Sequence, residues 1–292
     1  MSGHQRAFAC VALAAVLGAC AARPNGQLLR LANQTAAYGH GDSTAAAEGV
    51  GAKNYNGSST RIDAQDSDQW PAPVHDDQSF TFLRAEQLEF RVRDGGPDVA
   101  RWEAQGWHGG DYQRLWIKTE GEQTVEGAAE GDLEVQALYS QLVAPFWDFQ
   151  VGARYDSRFG AGSDIDRWFG VVGVQGLSPY EFEVEAALFI SEDADVSARL
   201  TASTDFLITQ RLILQPRFEA EIAVQEVAAF EVGQGLNYVE LGLRLRYEFQ
   251  REIAPYIGIN WTKSTGETAD LVSRGGGDAS DLSLVAGISL WF

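Results

Sequence analysis

The stretch 281–292 reads DLSLVAGISLWF, and its alternation restricts the fold more than any other part of the chain. Leu282, Leu284, Ala286, Ile288, Leu290 and Phe292 share one parity, while Asp281, Ser283, Val285, Gly287, Ser289 and Trp291 share the other. Successive side chains of a strand point to opposite faces, so this segment is a strand with one wholly apolar face and one mixed face. The same period of two recurs upstream. Leu88, Phe90 and Val92 alternate with Gln87, Glu89, Arg91 and Arg93, and Trp147, Phe149, Val151, Ala153 and Tyr155 alternate with Asp148, Gln150, Gly152, Arg154 and Asp156. Tyr180, Phe182, Val184, Ala186, Leu188 and Ile190 alternate with Glu181, Glu183 and Glu185. Further alternating runs cover 196–208, 212–224 and 239–249, and less regular ones lie near Leu115, Val135, Val172 and Ile257. The spacing is too short for strand–helix–strand units, so the chain from about Phe80 is all-β and antiparallel.

The connections between these runs fall into two alternating classes. Short ones are expected at 108–111, 144–146, 177–179, 209–211 and 250–252, and longer ones at 94–98, 120–132, 157–166, 192–195, 226–237 and 264–280. Alternation of short turns with long loops is the pattern of an up-and-down transmembrane barrel, here of about twelve strands. The even count puts both barrel ends on the periplasmic side. A strand closing on an aromatic residue is also common in bacterial outer-membrane barrels. A soluble antiparallel barrel or sandwich would show the same local pattern with inside and outside exchanged. Seven tryptophans (Trp102, Trp107, Trp116, Trp147, Trp168, Trp261 and Trp291) fall near strand ends, as an interfacial girdle requires, although Trp116 and Trp291 have lumen parity.

Ahead of the barrel, Arg6 and the apolar run 7–19 make an export leader, too short to span a bilayer as a helix. Leu17-Gly18-Ala19-Cys20 reads as a lipobox and Ala19-Cys20-Ala21 as an ordinary cleavage site, so the leader is placed at 1–21 with both processing routes open. Cys10 leaves with the leader and Cys20 is lost or acylated, which excludes a disulfide or thiolate site in the mature chain. Residues 22–79, rich in Gly, Ala, Ser, Asn, Thr and Asp, lack hydrophobic periodicity and are expected to be a disordered periplasmic arm before the barrel at 80–292. The formal net charge of −19 excludes nucleic acid as a partner. A mean hydropathy of −0.19 excludes a helical membrane protein but not a barrel, whose strands face water on one side.

Several segments are long and unusual: LEFRVRDGG (88–96), QGWHGGDYQRLWIKTEGE (105–122), EVQALYS (134–140), APFWDFQVGARYD (144–156), VQGLSPYEFEVEAALFIS (174–191), SARLTASTDFLITQRLILQPR (197–217), ELGLRLRYEFQREIAPYIGINW (240–261) and DLSLVAGISLWF (281–292). In these the stretch from Leu88 to Phe292 resembles the copper-resistance protein B family. The resemblance implies an outer-membrane protein of copper resistance or homeostasis that binds copper ions or passes them across the outer membrane, beside a periplasmic multicopper oxidase and surrounded by outer-membrane lipid. The family usually carries a Met- and His-rich segment before its barrel. Here Met1 is the only methionine and the arm has only His40 and His75, so soft-ligand storage of Cu(I) is not expected.

The lumen parity carries the acids Glu89, Glu134, Asp148, Glu181, Glu183, Glu185, Asp205, Glu219, Glu221, Glu240 and Glu248, and the bases Arg91, Arg114, Lys118, Arg154, Arg199, Arg217, Arg244 and Arg246. A mutual salt-bridge network propping the wall accounts for most of them, because unpaired buried charge is expensive. The sharper reading is a cation path: Glu181, Glu183 and Glu185 form a ladder on one strand face, with Glu219 and Glu221 on another strand, and carboxylates suit transient Cu(II) handling. His108, in a turn with Asp111 nearby, and His75, before Asp76 and Asp77, are the histidines that could add weak ligation. A narrow channel for another small solute is the alternative. An outer-membrane hydrolase is disfavoured, since His108 is the only barrel histidine and no nucleophile elbow is evident. The chain is therefore read as no enzyme.

Overall fold

The computed structural model describes residues 78–292 except 128–129, 161–164 and 228–229. The leader, Cys20, the arm and His75 lie outside the described residues. Residues Asp77–Phe292 form one compact unit.

The strands are β1 (Phe80–Arg93), β2 (Val99–Gly109), β3 (Gln113–Thr124), β4 (Gly131–Ala144), β5 (Trp147–Phe159), β6 (Ile165–Ser178), β7 (Phe182–Ser191), β8 (Val196–Ser203), β9 (Phe206–Leu207), β10 (Leu212–Ala223), β11 (Gly235–Tyr247), β12 (Ile253–Ser264) and β13 (Ser280–Trp291). Among the described residues one helix, α1 (Gly266–Arg274), sits between β12 and β13. Each wall strand pairs antiparallel with its neighbours in the chain, and β13 returns to β1 with Phe90 opposite Ala286. The sheet is thus closed. Both β8 and β9 pair with β10, so they are two pieces of one wall strand and the barrel has twelve. Pro216 explains the break. It has no N–H to offer, and the interruption lies between the Arg217–Ser203 and Leu214–Phe206 pairs that flank it.

Side-chain exposure decides which face is which. Leu115, Ile257 and Leu284, all of apolar parity, are 62–63% exposed, whereas Glu89 and Arg244 of polar parity are 4% and 2% exposed. A soluble sandwich would show the reverse. With no open sheet edge and an apolar outer belt, the protein is built for the outer membrane. No helix among the described residues is long and apolar enough to cross a membrane.

Short connections at 110–112, 145–146, 179–181, 208–211 and 248–252 share one end of the barrel, and longer ones, up to 224–234 and 265–279, share the other. The lengths alternate as expected except at 192–195, which is no longer than 208–211 and shorter than 248–252, and the strands run further than the sequence pattern suggests. β3 continues to Thr124 and β4 starts at Gly131, which brings Glu120, Glu122 and Asp132 into the wall rather than a loop. In the other direction, β7 starts only at Phe182. Tyr180 (φ 69°) and Glu181 (φ 62°) occupy the turn, so the three-rung glutamate ladder is a strand pair plus a turn residue. Two consecutive positive φ values are what a tight hairpin turn demands.

A bulge in β1 between Ala85 and Leu88 turns both Glu86 and Gln87 inward. The Gln105 amide donates to Glu86, and Arg244 Nη2 donates to Gln87 Oε1 at 3.1 Å. At the long-loop end, the segment 224–234 folds back on itself through the Val227–Val232 bridge and is tied to α1: Gly233 N donates to Thr268 Oγ1 at 2.8 Å. A Cβ at Gly233 would stand 2.4 Å from Thr268 N, so this close approach requires glycine.

Candidate functional site

The lumen is packed in two chemically different ways. On the β3–β7 side, Trp116, Leu138, Phe169, Val171, Ala187 and Phe189 form an apolar cluster facing inward. The inward parity is therefore not uniformly charged, as the sequence pattern suggests. In β7 it runs Glu183, Glu185, Ala187, Phe189, and in β6 it runs Arg167, Phe169, Val171. Guanidiniums lie over these rings: Arg154 is 4.4 Å from the Phe189 centroid and 5.1 Å from that of Phe169. A cation over an aromatic face keeps its charge while covering apolar surface.

On the opposite side, Glu89 is the hub of a buried ionic cluster. Its two oxygens accept from Arg244 Nε (3.0 Å), Arg244 Nη2 (2.9 Å), Arg91 Nε (2.7 Å) and the Tyr256 hydroxyl (2.9 Å). Arg91 Nη2 then continues to Glu240 Oε1 at 3.2 Å. Every lone-pair direction of Glu89 is used, which is the condition for a buried carboxylate to be tolerated.

Between these sectors lie two chambers. The upper one, toward the long loops, has a volume of about 340 Å³ and the lower one about 60 Å³. The upper is lined by Glu120, Asp132, Glu134, Asp156, Asp195, Glu219, Glu221 and Glu231 against Arg101, Arg154, Arg158, Arg167 and Arg199, eight carboxylates to five guanidiniums. Phe230, from the folded-back loop, is stacked between Arg158 and Arg167, at 5.6 and 4.7 Å from its centroid. The lower chamber is bordered by Glu103, Gln105, Lys118, Glu185 and Arg217. Glu120, Glu134, Arg199 and Glu219 line both.

The structure places the sequence-derived candidates as follows. Glu183 and Glu185 face the lumen but are not free: Arg84 reaches Glu183 at 3.6 Å and Lys118 reaches Glu185 at 2.7 Å. No base stands on their own strand, and the partners come from β1 and β3. Glu181 is exposed at the short-turn end. Glu219 receives Arg217 Nη2 at 2.9 Å and the Tyr238 hydroxyl at 2.6 Å, and Glu221 receives Arg199 at 3.3 Å. His108 is a strand residue, the second-last of β2, and not part of a turn. Its Nδ1 stands 2.8 Å from Thr81 Oγ1 at an exposed position, and Asp111 meets Arg114 through its backbone oxygen instead. Glu248 begins the 248–252 turn, beyond the end of β11. Among the described residues no three His, Cys, Asp or Glu side chains converge closely enough to hold a metal ion.

Several lumen charges escaped the sequence reading: Arg84, Glu86, Arg101, Glu103 and Glu120. Arg101 and Glu103 alternate with Ala100, Trp102 and Ala104, so their signal was visible in the period of β2. Glu120 was hidden by ending β3 too early, and Glu86 by the bulge, which leaves no trace in an alternating pattern.

The model of the family described as "Copper resistance protein B precursor" matches residues 79–292. The chain is 38% identical over 219 residues to "Copper resistance protein B" of Escherichia coli, and 39% identical over 219 residues to "Copper resistance protein B homolog" of Pseudomonas syringae pv. tomato. Each alignment covers 75% of this chain and 72% of the relative. Among solved structures, the NanC porin superposes with a TM-score of 0.47 at 13% identity, over 71% of this chain and 98% of that one. The KdgM porin does so with a TM-score of 0.44 at 11% identity, over 72% and 99%.

Proposed function

We propose, from the premise that the chain belongs to the copper-resistance protein B family, that its part in copper resistance is to pass copper ions through the lumen with transient ligation by carboxylates. The observation that carries this reading is the acid excess of the upper chamber. A chamber with low-dielectric walls and net negative lining concentrates cations. Its oxygen donors are hard ligands that suit Cu(II) and release it readily. Residues 79–292 contain no cysteine and no methionine, so the barrel offers no thiolate or thioether to retain Cu(I). Glu183, Glu185, Glu219 and Glu221 belong to this path as members of ion pairs that exchange partners. Glu181 stands at its short-turn exit, and His108 and His75 would contribute only outside the lumen and ahead of the barrel.

The reading is non-catalytic. His108 and Thr81 supply the base and hydroxyl of a hydrolytic pair, but no carboxylate among the described residues is hydrogen-bonded to that imidazole to orient it. A periplasmic multicopper oxidase, receiving copper at the short-turn end, is the partner this role calls for.

The test is deletion of the gene, with growth and cell-associated copper followed as external copper rises. Loss of tolerance, restored by the wild-type gene and poorly by one carrying Glu134→Gln with Glu221→Gln, is the expected result. If neither growth nor copper content changes on deletion, the lumen serves another small solute.

A further inference from the structure

Four side chains line both chambers, and one of them is a cation. That cation, Arg199 on β8, is held by four carboxylates, and its guanidinium carbon also lies 5.5 Å from the centroid of the Phe189 ring. Its Nη2 donates to Glu134 Oε2 at 2.9 Å and to Glu221 Oε2 at 3.3 Å, its Nη1 contacts Glu120, and its Nε stands 3.9 Å from Glu219 Oε1. These acids come from β3, β4 and β10, so they span the lumen. We propose that Arg199 is a tethered counter-cation that closes the passage between the chambers and sets which ions cross it. The proposal rests on the lumen being a cation path.

Three observations support a gate over a fixed strut. First, the guanidinium occupies the place where a passing cation would be most stable, between four carboxylates. A mobile ion moves on only by displacing it. A divalent ion competes for carboxylates better than a monovalent one, so the gate favours the former. Second, the inward neighbours of Arg199 on its own strand are Ser197 and Thr201, which leave space for a long side chain to swing along the wall. Third, room exists on both sides, about 340 Å³ above and 60 Å³ below, so either rotamer of a displaced Arg199 has a chamber to enter. The Glu89 cluster has none of these features: Arg244 borders neither chamber and its partners are fixed from four directions.

The experiment is conductance of the purified full-length protein in planar bilayers, in KCl alone and then with cupric ion added. Arg199→Gln is expected to raise the KCl conductance about threefold or more and to raise cation over anion permeability, because Glu221 then loses its ion-pair partner while Glu120, Glu134 and Glu219 each keep one other guanidinium, from Arg101, Arg154 and Arg217, and the passage turns more negative. Arg93→Gln removes the same charge from the Asp281 pair near the long-loop end, borders neither chamber, and is expected to leave both quantities at the wild-type value. If Arg199→Gln folds into an intact barrel and conducts as the wild type does, the gate is refuted. Should that variant not fold, Arg199→Gln combined with Glu134→Gln restores the local charge balance and must open the lumen in its place. An unchanged conductance there refutes the gate equally. Failure of the copper reading is distinguishable, because KCl currents that respond to Arg199 beside an unchanged copper tolerance on deletion keep the gate and discard the cargo.

Discussion

The two sides of the lumen solve one problem with opposite chemistry. The β3–β7 side fills space with Trp116, Phe169, Phe189 and aliphatic neighbours, and parks its guanidiniums on ring faces. The side built from β1, β11 and β12 fills the same kind of space with Glu89, Arg91, Arg244 and Tyr256, held by directed bonds. Apolar filling tolerates loss of a group in proportion to the volume removed. Ionic filling tolerates replacement of the whole set but not removal of one member, since the remaining charges stay buried without a partner. The charges that can rearrange are those between the two sides, where the chambers lie.

The largest effect expected from this contrast is on the ionic side. Glu89→Ala takes the carboxylate from Arg244, leaves Arg91 held by Glu240, and should lower unfolding free energy by about 3–5 kcal/mol, read from urea unfolding in lipid vesicles. Glu89→Leu combined with Arg244→Met should cost less than Glu89→Ala alone. A larger cost for the double change would mean that this side is held by its charges as such and not merely filled. Next comes the apolar side: Phe189→Ala should cost about 3 kcal/mol and Phe189→Leu about 1, with the second restoring most of the first. Equal costs would show that Arg154 stacking, not volume, is what Phe189 supplies. Between the two Phe189 changes falls Tyr256→Phe, which removes one of four donors to Glu89 and should cost about 1.5–2 kcal/mol by the same measurement. A cost as large as that of Glu89→Ala would mean that the cluster fails as a unit.

Much of this molecule was readable before its structure. The period of two named the lipid face of nearly every strand, because a bilayer imposes it on each outward residue independently. Loop lengths gave the two ends. The interior was less legible, for three separable reasons. Parity says which residues point inward but not which of them meet, so Lys118 as the partner of Glu185, or Arg84 of Glu183, could not be read from strands taken one at a time. A bulge shifts parity without changing composition, which concealed Glu86. Tyr180 and Glu181 adopt a turn normally marked by glycine or asparagine, and their residue types gave no warning, so Glu181 was carried into the strand. The apolar cluster was missed because the inward residues of β6 and β7 change from charged to aromatic partway along the strand. A rule applied to whole strands averages over that change.

The closure of β13 against β1 has a consequence for how the protein is made. Ser289 Oγ donates to Ala85 O across 204 residues of chain, and Phe292 and Leu83 exchange backbone hydrogen bonds at 2.8 and 3.0 Å. Hairpins such as β4–β5, joined through 145–146, can form early because their ends are close. The seam cannot, and contacts of such separation are the slow ones. Until it forms, both terminal strands carry a row of unpaired amides that lipid cannot satisfy. The growing wall therefore has no stable halfway state in the membrane. Its time of assembly is set at the seam, and a substitution there should delay delivery of the protein before it weakens the finished barrel.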